Sequence, residues 1–123
     1  IDAASDPAGW TARIPAAHLD FIAGLAMTHR HGPYLFVHAG IRPGVPLERQ
    51  EVDDLLRIRH GFLESPADFG CIVVHGHTPS RGPVVRANRI GIDTGAVFGR
   101  ELTCAVLEED RLGFLSVSAA PST

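Results

Sequence analysis

Two apolar runs in this chain stop in the same way, each in a histidine set beside a glycine. Leu35-Phe36-Val37 ends in His38-Ala39-Gly40, and Ile72-Val73-Val74 ends in His75-Gly76-His77-Thr78-Pro79. A short, continuous apolar run predicts a strand covered on both faces, as in sheets layered by helices. With helical spacing early in the chain and strand-like runs late, an α/β sheet layered by helices is expected rather than an all-β sandwich. Open sheets of that kind take their ligands beyond the carboxyl ends of the strands, where both histidines fall.

Composition narrows the function classes. The 123 residues suit one domain or part of one, and 45% of them are apolar, enough for a modest core. Charged residues make up 20%, too few for a charge-rich disordered chain. The net charge is −3 and all eleven basic residues are arginine, with no cluster dense enough to track phosphates, so no nucleic-acid partner is expected. No apolar run approaches the roughly 20 residues of a membrane span, and no signal-peptide core opens the chain, so a cytoplasmic, membrane-free protein is expected. Cys71 and Cys104 lie in apolar strand-like runs and read as buried free thiols of a reducing compartment, with a disulfide the minor alternative. The first residue is Ile, not Met, which suggests that something upstream has been removed.

Along the chain, residues 1–13 hold no period and read as an irregular lead-in. Leu19, Ile22, Leu25 and Ala26 recur at helical spacing after Pro15, predicting a helix of about three turns that ends near Gly24–Ala26. Ala26–His31 leads into a His31-Gly32-Pro33 turn, then a strand at Tyr34–Val37 and an irregular loop at Ile41–Leu47. Val52, Leu55, Leu56, Ile58 and Phe62 predict a second helix over Glu51–Phe62, with Glu51, Asp53 and Asp54 at its positive end. Strands are expected at Cys71–His75, Val84–Arg86, Arg89–Asp93, Leu102–Leu107 and Leu112–Ser118. Residues 119–123 form a tail.

Imidazole is the commonest protein ligand for transition metals, and small glycine neighbours admit an ion and its substrate. His77 is therefore read as a metal ligand, with His38 its counterpart from the matching strand end. His75, two residues before His77, would share its face on a regular strand and could join it on one ion; it also fits the apolar register as a structural or supporting histidine. His18, His29, His31 and His60 are expected to be solvated on helix or turn surfaces. Arg59 lies among Leu55, Leu56, Ile58 and Phe62, where spacing alone favours a salt bridge to Asp53, Asp54 or Glu64. A bidentate phosphate clamp is the functional alternative. Arg57 reads as a snorkelling helix arginine. Asp93 opens a Gly-containing turn, as a cap or as a ligand.

Four segments in order, Tyr34–Gly44 (YLFVHAGIRPG), Asp54–Leu63 (DLLRIR..FL), Val73–Pro79 (VVHGHTP) and Asn88–Ala96 (NRIGIDTGA), resemble the C-terminal half of a bacterial serine/threonine protein phosphatase of the calcineurin-like metallophosphoesterase superfamily. The resemblance spans residues 14–118. It implies the second half of a four-layer α/β/β/α sandwich with two divalent metal ions, usually manganese, at the sheet edge. His38 and His77 match the histidines that bind the second metal, and Arg59 matches the arginine that contacts substrate phosphate.

The family's GDxHG, GDxxDRG and GNHE segments have no counterpart, since the chain holds no Gly-Asp or Gly-Asn pair and its one asparagine is Asn88. Arg57 stands where the family's LLWxR has tryptophan. The resemblance thus implies hydrolysis of phosphate monoesters, on phosphorylated proteins or small phosphoesters, by a longer protein of which this chain supplies one wall and is inactive alone. The alternatives are a dinucleoside polyphosphate hydrolase of the same superfamily, or a truncated, non-catalytic paralogue that keeps phosphate or metal affinity.

Overall fold

The computed structural model describes residues 9–118; the first eight residues of the lead-in and the tail at 119–123 lie outside them. Seven strands and two α-helices follow one another as α1 (Ala16–Ala23), β1 (Thr28–His31), β2 (Tyr34–Val37), α2 (Val52–Arg57), β3 (Ile72–His75), β4 (Val84–Val85), β5 (Arg89–Gly91), β6 (Leu102–Glu108) and β7 (Arg111–Val117). Strands β1 to β5 form one sheet in the order β1-β2-β3-β5-β4, and β6-β7 form a second, two-stranded one. Within the larger sheet β2, β3 and β5 run parallel, while β1 and β4 are antiparallel edges. The architecture is mixed α/β, as the strand pattern predicts.

The core lies against one face of the sheet. Leu35 and Val37 alternate inward from β2 and meet Leu55, Ile58 and Phe62, with Val73 of β3 beneath them. The β6-β7 hairpin lies over the other face, where Leu107 and Glu109 share a cavity of about 510 Å³ with Tyr34 and Phe36. Two hydroxyl contacts tie the start of the hairpin to the chain that follows β5. Thr94 Oγ1 donates to the Glu101 carbonyl at 2.6 Å and is hydrogen-bonded to Thr103 Oγ1 at 2.7 Å.

Several local expectations are corrected. The first helix runs only over Ala16–Ala23 and buries no residue; Ile22 of its apolar stripe is 53% exposed. Thr28–His31 is an edge strand, not a turn approach, held by backbone pairing with β2 and exposed throughout. His29 and His31 therefore lie on a strand, still solvated. The second helix ends at Arg57, because Ile58 turns extended (ψ 140°) and Gly61 takes a left-handed φ of +82°. Ile58 and Phe62 reach the core from non-helical chain. Residues 10–13 of the lead-in form a 3-10 turn.

Both cysteines are free, but only Cys71 is buried; Cys104 is exposed because β6 turns that side of the hairpin to solvent. Burial raises the Cys71 thiol above its ordinary pKa, so it stays protonated and unreactive. Titration with a thiol reagent should modify one cysteine rapidly in the folded protein and the second only after denaturation. Equal rates for the two would contradict this packing.

Candidate metal centre

Parallel pairing of β2 with β3 matches Phe36 to Val74, which brings the two histidine-bearing strand ends to one edge of the sheet. One further backbone bond, Gly76 N–H to the His38 carbonyl at 2.8 Å, carries the ladder past the last strand residues. Both chains then leave the sheet. Ala39 N–H donates to the Leu55 carbonyl at 2.9 Å, bending the first toward α2. His77 enters the left-handed region at φ +66°, a conformation that side chains other than glycine rarely adopt. That reversal separates His75 from His77, so the shared face expected for a regular strand is absent. His77 turns toward His38, while His75 stays in the core.

The result is a pair of imidazoles from segments 39 residues apart, with His38 Nε2 and His77 Nδ1 3.2 Å from each other. Their ring centroids are 5.0 Å apart and the planes cross at 60°. Burial and the charges of Arg59 and His38 hold His77 below its ordinary pKa, against the pull of the Arg57 carbonyl and Asp93. A neutral His77 keeps a lone pair for ligation. Two nitrogens bound to one ion at ~2.0–2.1 Å in near-tetrahedral geometry sit about 3.3 Å apart, so the observed separation fits a shared cation. Among the described residues no group of three His, Cys, Asp or Glu side chains is placed to hold a metal. The donor set thus fits two ligands of a centre.

Arg59 lies just beyond α2, not on it as the spacing predicts, and its carbonyl accepts the Leu63 N–H at 3.0 Å. The three carboxylates that could have neutralised it are engaged elsewhere: Asp53 with Arg57 at 3.5 Å, Asp54 with Arg42 at 2.5 Å and Glu64 with His60 at 2.8 Å. No carboxylate among the described residues pairs with its guanidinium, and its charge reaches the His77 imidazole. Asp93 caps its turn, accepting the Gly95 N–H at 2.9 Å.

Two groups were not legible as site components. Arg42 makes a bidentate pair with Asp54 (2.6 and 2.5 Å), and Gln50 returns three hydrogen bonds to the Arg42 and Val45 backbone. Together they clamp the loop after His38 onto α2; an acidic residue on the apolar side of a helix was the available signal. Arg89 and His75 are 7% and 3% exposed and lie in contact beneath the histidine turns. Burial and the Arg89 charge hold His75 below its ordinary pKa, opposed by the Gly76 carbonyl. Beside the paired histidines opens a cleft of about 900 Å³, walled by Leu25, Met27, Phe36, Val74 and Leu102.

No protein-family model matches this sequence, and no curated protein sequence matches it. Its fold is similar to a crystal structure described as "a putative diadenosine tetraphosphatase", with a TM-score of 0.74 and 22% identity. The match covers 93% of this chain and 60% of the other, so the chain spans about three fifths of that protein's length. The likeness gives the fold, a mixed α/β sheet. No helix among the described residues is long and apolar enough to cross a membrane.

Proposed function

We propose that this chain carries one wall of a divalent-metal phosphoesterase centre, in which His38 and His77 ligate one cation and Arg59 contacts the substrate phosphate. The observation that supports this most is the pair of ring nitrogens 3.2 Å apart at two parallel strand ends. A bound divalent cation supplies positive charge to a phosphoryl group and its attacking oxygen. His38 and His77 fix its place at the sheet edge, and Arg59 offers a planar, always-charged donor fork suited to two phosphate oxygens. The remaining ligands come from polypeptide outside the described residues, and hydrolysis needs them.

The proposed cation is manganese, one of two, and the proposed substrates are phosphoserine and phosphothreonine proteins. The resemblance of the segments from Tyr34 to Ala96 to a bacterial protein phosphatase supports that substrate class, while the motifs themselves suit hydrolysis of either phosphoester. The fold neighbour's description favours a second reading, hydrolysis of a dinucleoside polyphosphate. Comparing turnover of a phosphopeptide and of diadenosine tetraphosphate by the longest polypeptide that the reading frame encodes separates the two. Failure to hydrolyse either, with metal present, would contradict both.

Arg59 has its own test. With manganese present, Arg59→Ala should weaken inorganic phosphate binding by roughly 10- to 100-fold, the value of a charged hydrogen-bonding contact, while leaving manganese affinity unchanged by calorimetry. A matched loss of both, or of neither, would contradict the clamp role.

A further inference from the structure

A guanidinium has five N–H donors and no acceptor. Arg89, in β5, is buried with Nη1 3.3 Å from His75 Nε2 and Nη2 donating to the Leu63 carbonyl at 3.0 Å. Its Nε has no partner among the described residues. Because Arg89 can only donate, Nε2 of His75 must accept, which leaves the ring's proton on Nδ1. That nitrogen is 3.2 Å from the Gly76 carbonyl. The same carbonyl accepts the Thr78 N–H at 2.7 Å, and the Gly76 N–H is held by the His38 carbonyl at 2.8 Å. Gly76, the residue that leads into the left-handed His77, is thus held at both its N–H and its carbonyl.

The ring itself has little freedom. Phe62 meets it edge-on at 5.0 Å and 82°, and a Cβ at Gly91 would stand 3.3 Å from its Cε1 and Nε2.

We infer that Arg89 and His75 are positioning residues of the metal centre: the guanidinium fixes His75 as the Nδ1–H tautomer, and that N–H holds the Gly76 carbonyl so that His77 faces His38. This rests on reading His38 and His77 as ligands. Residues that orient a ligand from behind commonly change metal affinity by about 10- to 100-fold when removed.

The test combines histidine ¹⁵N NMR on the metal-free protein, the His77 amide–Hα coupling that reports its φ, and manganese calorimetry. In the wild type, His75 should show the Nδ1–H tautomer. In Arg89→Met the tautomers should mix, the His77 coupling should move, and manganese affinity should fall about 10- to 100-fold. Arg89→Lys, which restores a donor, should recover part of each. Should Arg89→Met fail to fold, His75→Phe keeps the ring against Phe62 without its nitrogens and is expected to show the same coupling change and affinity loss.

A wild-type His75 protonated on Nε2 would overturn the inference whatever the metal does. So would a tautomer change in Arg89→Met that leaves the His77 coupling and the affinity untouched. If the wild type binds no manganese, the ligand reading fails separately, and the tautomer and coupling measurements still decide the role of Arg89.

Discussion

Replacing His38 and His77 together with alanine should abolish manganese binding at the proposed site, a fall on the order of a hundredfold or more, because both ligands that this chain offers the ion are removed. Either single replacement should weaken binding by at least tenfold, since each removes one ligand from the proposed site. The fold should survive, because His38 is exposed and His77 is only half-buried. Loss of the left-handed strain at position 77 would even offset part of any packing loss if glycine were placed there instead. His60→Ala serves as the control: that ring is exposed and, among the described residues, bound only to Glu64, so metal affinity should not change. Calorimetric titration alongside circular dichroism reads both properties. A double variant that binds manganese as the wild type does would remove the basis of the proposed function.

Phe62→Ala should produce the largest loss of stability of any truncation to alanine among the described residues. Its side chain is fully buried, stacks on Phe69 at 5.8 Å and meets His75 edge-on. A Cβ placed on Gly40 would overlap the Phe62 ring, so ring and glycine fit each other closely. Truncating a phenylalanine in such a site costs about 3–5 kcal/mol through lost burial and the cavity left behind. Small domains have roughly 5–15 kcal/mol in total, so the variant should be close to unfolding. Equilibrium denaturation measures it, and a loss below about 1 kcal/mol would mean that the ring is not the keystone that its burial implies. Because Phe62 lies between the two histidine turns, partial folding should also weaken metal binding.

The sequence reveals the elements whose side chains carry the hydrophobic pattern and hides those held by backbone alone. Tyr34–Val37 and Ile72–His75 are visible as apolar runs because each is covered by neighbours on both sides. Thr28–His31 carries no apolar residue and exists through its ladder to β2, so nothing in its composition marks a strand. The overextended second helix is the opposite error. Leu55, Ile58 and Phe62 keep helical spacing, yet Ile58 is already extended and Phe62 follows the left-handed Gly61 when they reach the core.

At the site, the proximity of His38 and His77 follows from two matching strand ends and parallel pairing, both implicit in the pattern. The departure of His75 from its neighbour does not, since it depends on one left-handed residue. The burial of Arg89 was equally hidden: its partners are a distant carbonyl and a ring nitrogen, which leave no charge pattern to read.

The central claim is that His38 and His77 hold one cation between them. Anomalous diffraction from crystals grown with manganese tests it most directly. A single peak about 2.0–2.3 Å from both His38 Nε2 and His77 Nδ1 is the expected result. Ring nitrogens still about 3.2 Å apart with no ion between them, and the manganese elsewhere or absent, would contradict it.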